Sequence, residues 1–229
     1  SALVLLLKGE TSPSLFSRDS TTIEFAPLPP QSEPLTRIAF GSCINQNFPQ
    51  PFWDTLASIR PNITILGGDN VYANCDSIQS CPVTMATAYE KQMSNPSFMG
   101  AMEVLPIIAT LDNHDYGLGN ADRNNPYKDI AKQYFMDFFQ VPETDERRTR
   151  DGVYTSYMYG DVKKGTGLQI ILLDVRHACS EMSGSRDGNE NGIDINTDTE
   201  TMLGDVQWEW LHEQFSVPAD VRLVVSSIQ

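Results

Sequence analysis

The chain has 229 residues, with 16 Lys plus Arg against 30 Asp plus Glu and a formal net charge of −14 at neutral pH. Binding to nucleic acid needs Lys and Arg clustered along a face. The basic knot Arg147, Arg148 and Arg150 is diluted by Asp145, Glu146 and Asp151, so no nucleic-acid-binding surface is expected. A composition 40% hydrophobic and 20% charged excludes disorder, collagen and coiled coil, and the length suits one generous domain.

Ala2 to Leu7 (ALVLLL) reads either as the tail of a secretory hydrophobic region, which would place the protein in the secretory pathway or outside the cell, or as an apolar first strand. No run approaches the roughly 18 apolar residues of a bilayer-spanning helix, so no transmembrane segment is expected. Residues 10–36 are rich in Ser, Thr and Pro and read as a linker or a draped extended arm. The ordered domain therefore starts near Leu35, giving an N-terminal segment 1–34 and a domain 35–229. Apolar runs predict strands at Arg37–Phe40, Ile63–Leu66, Pro106–Thr110, Gln169–Leu173 and Val221–Val225. Helices are expected over Phe52–Ile59, Met85–Met93, Tyr127–Phe139 and Val206–Phe215. Tyr154–Tyr159 is an aromatic strand that pairs as a hairpin with Gly165–Leu173 at a sheet margin. Ser180–Thr201 is a long surface loop, and Val221–Gln229 stops without a closing turn or helix, as a fragment would. The alternation argues for α/β layering.

Each predicted strand ends in polar residues, and ligands of layered α/β proteins bind beyond the carboxyl ends of strands. The five endings would converge on one rim holding Cys43, Asp69, Asn70, Tyr72, Asp112, Asn113, His114, Asp115, Asp174, Arg176 and His177. Asp and Asn after a strand are commonly Asx-turns. Two endings resist that reading: Asp69 follows Gly-Gly with Tyr72 three residues on, and Asn113-His114-Asp115 crowds three ligand types into one turn. Carboxylate, phenolate and amide oxygens suit a hard cation, whereas a thiolate or imidazole favours a transition metal. The mixture points to more than one ion.

Phe40-Gly41-Ser42-Cys43, Gly68-Asp69-Asn70-Val71-Tyr72-Ala73, Thr110 to Gly117 (TLDNHDYG), Leu173-Asp174-Val175-Arg176, Met202 to Trp208 (MLGDVQW) and Ser226-Ser227-Ile228-Gln229 together resemble the PhoD-like alkaline phosphatase/phosphodiesterase family of metallophosphoesterases, in order from about Leu35 to Gln229. The resemblance implies a calcineurin-like αββα sandwich, incomplete at its C-terminus, that hydrolyses phosphate mono- or diesters with metal-activated hydroxide. It implies Fe3+ and Ca2+ as cofactors. Asp69 would bridge the two metals, Tyr72 and Cys43 would bind the ferric ion, and Asn113 would bind the second metal. His114 would steady the phosphate or protonate the leaving oxygen, Arg176 would contact the phosphate, and Asp174 would orient it. A phosphate-ester small molecule is the implied partner. The family commonly has Asp where Asn113 stands, and its later Gly-Asp-x-His segment would follow Gln229. Two cations would also supply the positive field that a chain of charge −14 otherwise lacks for a phosphate dianion.

The four cysteines permit three complete pairings; Cys75 and Cys81 are spaced to close a small loop in an oxidising compartment and are free thiols in a reducing one. Asp187–Asp198 imitates a calcium loop without flanking helices, so a non-catalytic calcium-binding surface module is the rival reading. A catalytically inactive relative that recognises phosphorylated ligands through Arg176 is a third. His177 enters the rim or caps its strand, His212 is surface or core, and Asn62 fits a glycosylation acceptor at the mouth of a buried strand.

Overall fold

The computed structural model describes residues 24–117, 121–181, 183–184, 191–192 and 200–228. Two three-stranded sheets form its centre. β1 (Ile38–Gly41), β2 (Ile63–Leu66) and β3 (Ile107–Ala109) are parallel in that order. Parallel neighbours need crossovers, and the helices α1 (Phe52–Ile59), α2 (Cys81–Met93) and α3 (Pro96–Met102) lie in the connections. The second sheet has β5 (Leu168–Leu172) between β4 (Thr155–Tyr159), antiparallel, and β8 (Val221–Val225), parallel. A short antiparallel pair, β6 (Ser183–Gly184) and β7 (Asn191–Gly192), and the helices α4 (Lys128–Phe138) and α5 (Gly204–Phe215) complete the described elements.

The period-2 alternation of the strands separates three apolar clusters. Ile63, Ile65 and Ile108 of the first sheet meet Tyr159, Leu168, Ile170, Leu172 and Val225 of the second, so this cluster is the layer between the sheets. On the outer face of the first sheet, Leu66 and Ala109 pack with Trp53, Tyr89, Phe98, Phe135 and Phe138 from α1 to α4. On the outer face of the second, Ile171 packs with Leu173, Val175 and Leu211, the last from α5. Helices, sheet, sheet and helix follow one another as an αββα sandwich, the expected fold class.

Differences from the sequence reading are local. α2 begins at Cys81, four residues before the expected start, because Pro82 occupies its first turn, where a missing N–H costs nothing. The unexpected α3 is capped by Asn95, whose side chain accepts from Phe98 N at 3.1 Å, with Pro96 next. The strand endings belong to two sheets rather than one. Their ends are joined where the Thr110 hydroxyl, fully buried after β3, donates to Leu173 O after β5 at 2.6 Å. The described part of the N-terminal segment runs along the body, with Ala26 N donating to Met102 O at 2.8 Å and Gln31 O accepting from Gly160 N at 2.9 Å.

Candidate metal centre

The site begins where β1 and β2 end. Cys43 and Asp69 both adopt left-handed backbone, φ 59° and 52°, and Gly68, which precedes Asp69, has φ 110°. A left-handed non-glycine residue costs about 1–2 kcal/mol, and such strain persists where surrounding contacts over-determine it. Those contacts are backbone bonds: Gly67 N to Gly41 O at 2.8 Å, Cys43 N to Gly68 O at 3.2 Å and Ile44 N to Asp69 O at 2.7 Å. The paired turns bring Cys43 Sγ to 3.8 Å from Asp69 Oδ2.

The loop after β3 closes on this pair. His114 N donates to Asp69 Oδ1 at 3.1 Å, and the His114 ring stacks on Tyr72 with centroids 4.1 Å apart. Tyr72 is held by Gln46, whose amide accepts from Tyr72 N at 2.8 Å and donates to Tyr72 O at 2.9 Å. Asn113 lies on the same turn, half-buried. Cys43, Asp69, Tyr72 and His114 therefore meet although three separate chain segments supply them.

Beneath them Asp115 is fully buried and accepts four hydrogen bonds. Its Oδ1 takes Asn70 N at 2.9 Å and Val71 N at 3.2 Å. Its Oδ2 takes Asp112 N at 2.9 Å and Asn70 Nδ2 at 3.3 Å. One carboxylate thus welds the Asp69 loop to the Asp112–His114 loop. Burial pushes its pKa well up, while those N–H donors pull the other way.

Arg176 is nearly buried, and its Nε donates to Asp112 Oδ1 at 2.6 Å. Asp174 is fully buried; its oxygens accept from Arg176 N at 3.0 Å, His177 N at 2.9 Å, Val153 N at 2.9 Å and Tyr116 OH at 3.3 Å. Asp174 therefore shapes the Arg176 turn from within the protein. His177 is 3% exposed, with Nε2 3.7 Å from Asp151 and 3.8 Å from Asp129. His212 is exposed, and the Asn62 side chain accepts from Thr36 N and Arg37 N. Asp187–Asp198 lies outside the described residues except for β7.

Two acids at this end of the sheets resist ionising. Burial, then the charge of Asp112, raise the Asp69 pKa, against the His114 and Cys43 contacts. Burial, then hydrogen bonding to Cys43 and the charge of Asp69, push the Tyr72 hydroxyl well above the usual phenol range. Crowded acids that resist ionising are relieved by a bound cation. The separation of Cys43 Sγ from Asp69 Oδ2, 3.8 Å, is what two donors span when each sits about 2.0–2.3 Å from one metal. Among the described residues no group of three or more His, Cys, Asp or Glu is placed to hold a metal ion. The Tyr72 phenol and Asn113 amide must therefore complete any donor set drawn from these loops, and their oxygens fit hard cations.

An α/β protein built as an αββα sandwich, with oxygen, sulfur and nitrogen donors gathered at the strand ends, is thus the class the fold defines. Its likeness is to PhoD in particular: a solved chain titled "Structure of PhoD" superposes with a TM-score of 0.64 over 86% of this chain at 15% sequence identity. The chain spans 42% of that structure's length. No family model matches the sequence, and no curated protein matches it.

The reading from sequence missed Asn74 and Gln46. Asn74 Oδ1 lies 2.6 Å from His114 Nδ1, and Gln46 holds Tyr72. Neither carries a motif signal, because each acts only across a loop contact.

Proposed function

We propose that the chain is a metal-dependent hydrolase of phosphate mono- or diesters of the alkaline phosphatase/phosphodiesterase type. The observation that carries this reading is the meeting of Cys43, Asp69, Tyr72 and His114 at the carboxyl ends of β1, β2 and β3, in a fold of PhoD type. Cys43, Asp69 and Tyr72 would hold a ferric ion, and Asp69 and Asn113 a calcium ion. Bound there, such cations polarise phosphoryl oxygens and activate water near neutral pH. The residues of the chain do the rest. His114, with its ring plane set by Tyr72, gives a proton to the leaving ester oxygen. Arg176, steered by Asp112 and by the Asp174-bound turn, faces the phosphate charge, and Asp174 acts through it. We place the protein in the secretory pathway or outside the cell, a reading supported by the disulfide between Cys75 and Cys81.

The test loads the natural full-length protein with Fe3+ and Ca2+ and follows p-nitrophenyl phosphate and bis-p-nitrophenyl phosphate. Metal-dependent turnover of either is expected; none with both ends the proposal. A phenolate-to-iron colour should accompany ferric loading and disappear in Tyr72→Phe, and a Tyr72→Phe protein that keeps the colour removes Tyr72 from the ligand set.

A further inference from the structure

We infer that Asn74 is a positioning residue for His114 and that the Cys75–Cys81 disulfide holds Asn74 in place, so that the oxidised chain is the competent one. The inference rests on the phosphoesterase reading for its catalytic consequence but not for its structural one. Asn74 Oδ1 sits 2.6 Å from His114 Nδ1. An amide oxygen only accepts, so Nδ1 carries a hydrogen in both the neutral and the doubly protonated ring, and Nε2 is left as the nitrogen that gains a proton and then gives it to the leaving oxygen. Stacking on Tyr72 fixes the plane of the ring, and the Asn74 contact fixes its rotation and tautomer.

Asn74 is exposed, and an exposed amide side chain samples several rotamers unless its backbone is anchored. Two rungs anchor it: Ala73 N donates to His114 O at 3.2 Å and Cys75 N donates to Gly117 O at 2.8 Å. The disulfide clamps the second rung. A Cβ added to Gly117 would lie 2.6 Å from Cys75 Sγ and 2.7 Å from Cys81 Sγ, so the sulfur bridge rests directly on the loop that carries His114. Cys81 is fully buried at the start of α2, in the helical core with Met85 and Tyr89. The rigid helix is thereby linked covalently to the residue next to Asn74.

A dithiol reductant breaks this bridge in a balanced two-electron step. The Cys75–Cys81 S–S bond is cleaved, each sulfur gains one electron and one proton, and the dithiol closes into its own disulfide. With the bridge gone, the 73–75 segment keeps only its two backbone bonds to the loop, and the His114 ring loses its fixed acceptor.

The experiment records long-range 15N–1H correlations of the histidine rings in the intact protein, with His114 assigned by a His114→Gln variant. The oxidised chain should show His114 as a single Nδ1–H tautomer. Dithiol-reduced protein and oxidised Asn74→Ala should both shift to a mixture with Nε2–H, while Asn74→Asp, which keeps an acceptor, should retain Nδ1–H. In the metal-loaded protein, where a dithiol would also reduce ferric iron, the bridge is removed instead by the double variant Cys75→Ser/Cys81→Ser, and that variant and Asn74→Ala should each lower kcat about tenfold with KM within about twofold, as expected for an interaction realised in the transition state. Circular dichroism checks that the reduced chain stays folded; should it unfold, oxidised Asn74→Ala decides alone. An unchanged tautomer in Asn74→Ala overturns the inference. Absent turnover in oxidised wild-type protein instead removes the phosphoesterase reading, and the tautomer measurement still judges the positioning.

Discussion

Replacing Gly68 by alanine tests whether the two sheets are fastened at the rim as described. Gly68 follows β2, and its φ of 110° already disfavours any side chain. An added Cβ would meet Asp112 Cβ at 2.7 Å, Ser227 Cβ at 3.0 Å and Asp112 N at 3.1 Å, where ordinary contact begins near 3.4 Å. All three belong to segments that follow β3 and β8, so no flexible side-chain end can yield; the strand ends themselves must part. Backbone strain of about 1–3 kcal/mol and overpacking of about 1–3 kcal/mol together predict a loss of about 2–6 kcal/mol. For a chain of this length each kcal/mol lowers Tm by about 2–4 °C, so the transition should fall by at least about 4 °C. The displaced Asp112 should also let go of Arg176. Urea unfolding followed by circular dichroism measures the free energy, and Gly41→Ala is the control, since nothing lies within 4 Å of a Cβ there. A Gly68→Ala protein within about 0.5 kcal/mol of wild type, the scatter of ordinary surface substitutions, would refute the packing argument.

Thr110→Val keeps shape but removes the buried hydroxyl bond to Leu173 O; it should cost about 1–3 kcal/mol in the same unfolding assay, and a neutral result would mean the sheet ends are not held there. His177 supplies a pH dependence. Burial lowers its pKa below the usual 6.5, opposed by Asp174, Asp151 and Asp129 and reinforced by Lys128. The unfolded chain therefore binds the proton more readily, so the contribution of His177 is full above pH 6.5 and is lost as pH falls through the depressed folded value. His177→Gln should flatten the fall in urea stability below that pH, and an identical slope in both proteins would disprove it.

Much of the fold was legible in the chain. β2, β8 and α1 coincide with the sequence reading to the residue, because alternating or helically spaced apolar residues are a local signal. The tight turn at Gly67-Gly68-Asp69 and the crowding at Asn113-His114-Asp115 were equally local. Other features had no local signal. That the strand endings sit on two stacked sheets depends on which apolar faces meet, and Ile63, Ile65 and Ile108 look alike in sequence whichever sheet they face. Asp115 and Asp174 read as rim ligands by composition, yet both are fully buried acceptors. Asn74 and Gln46 carry no local signal at all.

The sequence by itself determined the elements, their layering class and the loops in which donors are concentrated, since each follows from the residues within one turn or strand. Tertiary structure alone decided which donors touch. Cys43 and Asp69 are 26 residues apart, and Asp69 and His114 are 45 apart. Such pairings exist only after the buried carboxylate of Asp115, the hydroxyl of Thr110 and the close approach at Gly68 have brought the ends of the strands together, and no local pattern encodes a contact whose partners the closed core selects.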